Sequence, residues 1–538
     1  MKQMPVITYD GALPKTITIA GPVPGNVGIT YDNFFRVQQL GINGQNTSYG
    51  YDNDGLLTQA GALTLNRDAN NGLLTGTTLD NIKTEQEYDK FGLLKRLTAK
   101  LGSTVLFSET FTRDKLGRVE EKTTTTGGPL STYRYAYDAS GRLSDVFKNG
   151  ALQNHYEYDA NGNRTLADGI AASYDAQDRL KTFGTASYGF SANGELQTES
   201  TVAGNNTFSY DVYGNLKQVT LASGGKIDYL VDGQNRRIGK KVNGVLTQGW
   251  VYQDQLKPIA ELDGNGQIVS RFIYAGKANV PEYMVKGVAT YRLVTDTLGS
   301  VRQVVDSQTG QVMQELEYDA WGKVLADSNP GFQPFGYAGG LYDNNTGLVR
   351  FGARDYDAKT ARWTAKDPIR FNGGDSNIFS YVGGNPINFI DPSGLAACGV
   401  RTPDFINFQI DAYIFSVWGT FSRDGNSFVG GGFNKGSPNP ASVQASVTAG
   451  WLNRFKVNNG DTNAFLSGYA GSGAAAFAAV GGGIVYSPGS GTATVLGVGA
   501  GVQLGTNFKS SGSLGGGYSK NQGDTGMSWG QGKDCGCK

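Results

Sequence analysis

From residue 5 to about 330 the chain is a series of short segments in which apolar and polar residues alternate, broken at regular places by an aspartate and a glycine. Alternation with a period of two marks a strand with one buried face, and Val119, Tyr133, Tyr135 and Tyr137, then Tyr229 and Val231, follow it. The breaks share one form: Tyr-Asp, two residues, Gly, one residue, then an apolar or basic residue. It stands at Tyr51–Asp52, Tyr88–Asp89, Arg113–Asp114, Tyr137–Asp138, Tyr158–Asp159, Tyr174–Asp175, Tyr210–Asp211 and Tyr318–Asp319, and more loosely at Phe190–Ser191 and Val231–Asp232. Asp followed shortly by Gly supplies a tight turn, so each unit is predicted to be a β-hairpin. From Asp89 to Asp232, counting Ser191, the turn positions advance by 16 to 25 residues, a hairpin-repeat spacing. A single hairpin cannot bury its apolar face, so successive hairpins are expected to pair edge to edge into one long curved sheet. A residue repeated this often reads as structure: each aspartate is expected to cap its own turn, and His155, the only histidine, to belong to a strand without a catalytic role.

Composition adds limits. With 538 residues, at least two structural units are expected. Glycine is abundant, 79 residues without a collagen period, which fits many turns and close backbone approaches. Basic and acidic residues balance at 47 each with no basic block, so no nucleic-acid footprint is evident. No apolar run follows the lysine of MKQMPVITYDGALP and none reaches about 18 residues anywhere, so neither a Sec signal nor a membrane helix is read. The three cysteines, Cys398, Cys535 and Cys537, make no disulfide framework, and no metal site or cofactor is predicted.

Chemistry concentrates between Asp319 and Asp391, where aromatics and glycines crowd together, enough for a plug at the end of the strip. Asp367 and Asp391 each precede a proline and lie 24 residues apart, separated by turns at Gly373–Gly374 and Asn385–Pro386 that can bring them together. Two carboxylates held close cannot both ionise cheaply: one keeps its proton and serves as acid while the other activates water. Spacing alone favours the plainer reading, in which Asp-Pro simply starts a turn. Arg362 is a candidate to orient or neutralise one carboxylate, or to form a structural ion pair.

Arg354, Tyr356–Asp357, Arg362–Trp363, Asp367–Pro368–Ile369, Gly373–Gly374, Asn377, Tyr381–Val382, Asn385–Pro386 and Asp391–Pro392–Ser393–Gly394–Leu395 together resemble the RHS-repeat-associated core of polymorphic toxins and of insecticidal toxin-complex C subunits. Residues 5 to 395 as a whole resemble YD or RHS repeats. The resemblance implies a mostly β protein whose hairpin strip spirals into a shell, partial or complete, and divides the chain into repeats (1–330), core (331–395) and a variable C-terminal effector (396–538). It further implies that Asp367 and Asp391 cleave the chain after Leu395, before Ala396, releasing a toxin used against competing bacteria or a host. Implied partners are an immunity protein and an N-terminal shell or secretion-system component, and the implied location is secreted or cell-surface. Two departures stand out: Arg370–Phe371 replace the usual Gly-Leu, and Asp355 takes a position where tyrosine is common. Fewer than 400 residues is short for such a shell, so another segment or a partner is expected to complete it.

From Ala396 to Lys538 there is no histidine and no glutamate, which removes His-metal nucleases, Cys-His and Ser-His hydrolases, zinc deaminases and Glu-dependent ADP-ribosyltransferases. Asp404, Asp411, Asp424, Asp461, Asp524 and Asp534 remain as acidic candidates; Asp534–Cys535–Gly536–Cys537 is too few thiolates for a zinc site and reads as a tail. Cys398 is expected to be a small buried residue. Alternation from Ile406 to Ile414, a turn at Arg423–Asp424–Gly425–Asn426, a return over Ser427–Phe433, and further alternation at Val443–Ala449 and Ala493–Gly501 predict a Gly-rich all-β domain. It reads as a soluble domain or as a membrane-contacting β-pore; a structural or adhesive surface protein with an attached tail is the remaining alternative.

Overall fold

A computed structural model describes residues 5–399, the last two by backbone only, and beyond them the backbone of eight strands between Phe405 and Tyr518. The chain forms two compact units, Met1–Val400 and Arg401–Gly532.

In the first unit thirty-two strands, from Val6–Asp10 to Val324–Asp327, form one sheet. Each pairs antiparallel with the strand before it in sequence, as Ser131–Tyr137 does with Leu143–Lys148 and Leu143–Lys148 with Ala151–Tyr158. The turn between two strands is closed by the motif itself. At Asp138, the main-chain N–H donates to the Arg142 carbonyl at 2.9 Å, and the Gly141 N–H donates back to the Asp138 carbonyl at 2.9 Å. Asp138 Oδ1 then accepts the N–H groups of Ser140 and Arg142, both at 2.9 Å. The expected self-capping by aspartate is thus present, and Asp52, Asp89, Asp114, Asp175 and Asp319 repeat it. The glycine is needed because its backbone is left-handed, with φ 81° at Gly141. Asp178 (59°) and Asn235 (62°), both types that tolerate this region, replace it in two repeats. Sequence reading missed the turn at Asp32, where Phe35 holds the glycine position at φ 62° and hides the pattern.

In several repeats the tyrosine ties the hairpin to its predecessor. The hydroxyl of Tyr137 donates to the Val119 carbonyl at 2.6 Å, Tyr158 to Leu143 at 2.7 Å, and Tyr174 to Arg164 at 2.8 Å. Arginine carries the link forward: Arg142 donates through Nε to Asp138 Oδ2 at 2.6 Å and through Nη1 to the Asp159 carbonyl at 2.9 Å, and lies 4.7 Å over the Tyr158 ring. Turn is therefore stitched to turn by side chains as well as by the sheet. His155 is a cross-strand partner, its Nδ1 2.7 Å from Asp145 Oδ1 directly opposite, where the carboxylate hydrogen bond holds its pKa above the ordinary value.

The strip curls back on itself. Ala60, Leu63 and Leu79 pack with Ile273 and Tyr283, and Ile82, Leu97 and Phe107 with Val294 and Val305. Polar contacts follow the same seam: the Ala62 N–H donates to Tyr283 Oη at 3.1 Å, and Thr126 Oγ1 to Glu315 Oε1 at 3.0 Å. The pairings leave the first and last strands unpaired with each other, so the sheet does not close into a barrel.

After Asp327 the long sheet ends. The hairpin Leu348–Phe351 and Arg354–Asp357, extended by Arg362–Trp363, presents Phe351, Tyr356 and Trp363 to Tyr337 and Tyr381 in one buried cluster, with the Tyr356 and Tyr381 rings 4.3 Å apart. This segment docks on repeat turns. Asn388 Oδ1 accepts the Val119 N–H at 2.8 Å, Asn377 Nδ2 donates to Asn163 Oδ1 at 2.7 Å, and Asn385 Nδ2 donates to the Gly141 carbonyl at 3.2 Å.

The second unit contains an antiparallel sheet of eight strands in the order Ser427–Phe433, Phe415–Ser422, Phe405–Ala412, Ser442–Asn453, Gly491–Gln503, Val480–Ser487, Gly471–Phe477, Ser513–Tyr518. The all-β expectation for the tail holds in these strands. The expected turn at residues 423–426, the side chain of Cys398 and the Cys535–Cys537 segment lie outside the described residues.

Candidate functional site

The two aspartates are brought together. Asp367 follows Arg362–Trp363 and starts a turn, its Oδ1 accepting the Ile369 N–H at 2.8 Å. Asp391 ends the short strand Phe389–Ile390 and starts the loop to Leu395. Between them stands one cation, Arg354, whose Nη2 is 2.9 Å from Asp367 Oδ2 and 3.2 Å from Asp391 Oδ2. Its Nε donates to the Gly394 carbonyl and its Nη1 to the Ile378 carbonyl at 3.3 Å, and its guanidinium lies 4.1 Å over Trp363. Arg354, Asp367 and Asp391 are all buried.

Arg362, the expected orienting residue, is elsewhere. It donates to Asn163 Oδ1 at 2.9 Å and to the Asp178 carbonyl, and stacks on Tyr174 and Phe379. It fixes the segment to the repeat wall, and the place beside the carboxylates belongs to Arg354. Nothing local separates these arginines; only the long-range fold does. Asp355 is likewise outside the pair, held at 2.8 Å by Arg237 and at 2.9 Å by Arg350.

The Leu395–Ala396 peptide lies against both acids. Asp391 Oδ1 accepts the N–H of Leu395 at 3.1 Å and of Ala396 at 3.2 Å, and the Ser393 hydroxyl at 3.0 Å. On the other side Gly373 makes room: a methyl group there would fall 2.6 Å from the Leu395 carbonyl oxygen and 2.9 Å from Asp367 Oδ2. That oxygen and that carboxylate therefore face the same small space. The loop is fixed from below, the Ala353 N–H donating to the Ser393 carbonyl at 2.9 Å.

Burial raises both carboxyl pKa values, against the opposing pull of Arg354; Asp367 is pushed up to about 6. Asp391, with three donors on one oxygen and Arg354 on the other, is the better placed to ionise, and Asp367 to keep a proton. Among the described residues no group of three or more His, Cys, Asp or Glu side chains could hold a metal ion.

The family described as Teneurin YD-shell matches residues 6–377. The chain belongs to the teneurin YD-shell family. Among its relatives, Teneurin-4 of Mus musculus is 29% identical over 396 residues, a match covering 69% of this chain and 14% of that protein. The tRNA3(Ser)-specific nuclease WapA of Bacillus spizizenii is 29% identical over 255 residues, 44% of this chain and 11% of that protein. The YD-shell fold is also that of the crystal structure of TcdB2-TccC3, with a TM-score of 0.58 at 18% identity, covering 70% of this chain and 22% of that one. The chain is thus an RHS/YD-repeat shell protein, and it spans a small fraction of the length of the relatives it matches. No helix among the described residues is long and apolar enough to cross a membrane.

Proposed function

We propose that this chain is the C-terminal part of an RHS polymorphic toxin that cuts itself after Leu395 and so releases residues 396–538 as an effector against competing bacteria or a host. The observation that carries the reading is the placement of one peptide bond, Leu395–Ala396, between a carboxyl near its carbonyl oxygen and a carboxylate on its N–H. Asp367 gives its proton to the Leu395 carbonyl oxygen while Asp391 takes a proton from the attacking water, whose oxygen bonds to the carbonyl carbon. Asp391 then passes that proton to the Ala396 nitrogen, the C–N bond breaks, and one hydroxyl of the diol returns a proton to Asp367. Arg354 holds the pair in register, and its charge opposes the burial that raises both carboxyl pKa values.

On this reading the shell sequesters the effector before release, an immunity protein neutralises it in the producing cell, and a secretion-system partner delivers it. The absence of His and Glu from 396–538 sets this tail apart from effectors that depend on those residues. Gel electrophoresis of the purified protein tests the cut: two fragments, 1–395 and 396–538, are expected, and a single full-length band in folded protein would favour an adhesive protein with an attached tail. Expression of 396–538 alone, in cytoplasm and in periplasm, tests toxicity, and dye release from liposomes separates a pore from an enzyme.

A further inference from the structure

A small cavity lies on the other side of the cleavage loop, lined by Arg236, Arg237 and Arg350 together with Tyr252, Gly352 and Pro392. All three arginines are at least nine-tenths buried. Among the described residues only two carboxylates form ion pairs with them: Asp232 pairs with Arg236 at 2.7 Å, and Asp355 is shared by Arg237 and Arg350. The nearby Asp343 is already engaged by Lys240 at 2.7 Å and by the Tyr229 hydroxyl at 2.6 Å. Guanidinium groups do not give up their protons in proteins, so one positive charge is left over in a buried place. The Nε atoms of Arg237 and Arg350, both fully enclosed, have no hydrogen-bond acceptor. Burial lowers the pKa of Arg350 and the facing Arg237 adds to this, while the ion pair with Asp355 opposes it.

We propose that the Arg236–Arg237–Arg350 cavity binds a single small inorganic anion, chloride under ordinary conditions. The cavity is small, with about 20 Å³ open to the centre of a water-sized sphere, which is room for one small inorganic anion. An anion there would set a negative charge beside the three arginines, which water cannot do. The cavity also lies where three segments meet, since Arg236 and Arg237 belong to the repeats, Arg350 and Gly352 to the core hairpin, and Pro392 to the loop that carries the scissile bond. Occupancy would lock repeat, hairpin and loop together. An anion site here does not depend on the proposed cleavage.

The test uses the full-length protein, with the uncleaved Asp391→Asn form as a second sample. Crystals soaked in bromide and measured at the bromine edge should show an anomalous peak inside the cavity, and thermal unfolding at fixed ionic strength should show a midpoint that rises with chloride, saturably, relative to gluconate. Arg237→Gln removes the surplus charge and should abolish the chloride effect; should that variant not fold, the anomalous map of the unsubstituted protein decides. Bromide peaks elsewhere but none in the cavity would overturn the site. A peak in the cavity without chloride-dependent stability would reduce it to an adventitious ion only and overturn the proposed role.

Discussion

Asp391 accepts the main-chain N–H of Ala396 at 3.2 Å, so a buried carboxylate is hydrogen-bonded to the nitrogen that leaves if the chain is cut after Leu395. Asparagine at position 391 or 367 keeps the size and an acceptor oxygen but ends proton exchange. Asp391→Asn and Asp367→Asn proteins should fold, as judged by circular dichroism and gel filtration, and remain as single bands on gels. Cleavage after Leu395 in both would sink the two-carboxylate mechanism. Asp319→Asn, in a repeat turn, should leave cleavage intact.

The pH dependence follows from Asp367, which must hold its proton and is pushed up to about 6. Cleavage of freshly translated protein should be fastest below that value and fall about tenfold per pH unit above it. Asp391 must be ionised, and its own raised pKa puts the acid limb above the ordinary carboxylate range. The sign for stability follows too: because the folded pKa of Asp367 exceeds its unfolded value of about 3.9, this group loses the precursor stability as pH rises from about 4 to about 6, and nothing further beyond. A cleavage rate flat from pH 5 to 8 would contradict the assignment.

Arg354 and Arg362 separate tuning from docking. Removing Arg354 leaves two buried carboxylates without their shared cation, so Arg354→Gln should abolish or strongly slow cleavage and destabilise the core by about 3–5 kcal/mol. Arg362 touches neither acid, so Arg362→Ala should lower the unfolding midpoint while the pH profile of cleavage keeps its shape. A changed profile in the second variant would return Arg362 to the site.

What was legible in the sequence was what is local. The Tyr-Asp-x-x-Gly turn declares its own hydrogen bonds, because Asp138, Ser140, Gly141 and Arg142 are all within five residues, and so the hairpin strip could be read directly. The turn at Asp32 escaped because Phe35 occupies a left-handed position that the pattern reserves for glycine. Asp367 and Asp391 stand out through the motif that surrounds them, since Asp-Pro alone reads as a turn, but choosing Arg354 over Arg362 needed the fold, which carries Arg362 to Asn163 across 199 residues. The docking asparagines Asn377, Asn385 and Asn388 carry no local signal of what they bind.

The repeat link predicts its own energetics. Tyr137→Phe removes one hydroxyl that donates to Val119 and receives the Asn388 amide, and should cost about 1–2 kcal/mol in denaturant unfolding. Phe35→Gly should do the reverse: Phe35 is 74% exposed, so little packing is lost while the left-handed backbone is relieved, for a gain of up to about 1 kcal/mol. A destabilised Phe35→Gly protein would show that the exposed ring makes a contact worth more than the strain.

Gly373 offers the sharpest test of the geometry because it takes no part in the chemistry. A methyl group at this position would meet the Leu395 carbonyl oxygen at 2.6 Å and Asp367 Oδ2 at 2.9 Å, both too close for carbon. The Leu395 carbonyl is main chain and cannot swing aside as a flexible side chain would, so Gly373→Ala has to push either the Leu395–Ala396 peptide or the acid away from the other. Since reacting groups displaced by about 1 Å lose on the order of a hundredfold in rate, the variant should fold, retain Asp367, Asp391 and Arg354, and still accumulate uncleaved chain. Gly374→Ala is the control: Gly374 sits at φ 86° in the same turn, so alanine there strains the backbone. If Gly373→Ala cleaves at the unsubstituted rate while Gly374→Ala is the slower of the two, the site depends on the turn and not on the space above Gly373, and the placement of Asp367 against the Leu395 carbonyl is wrong.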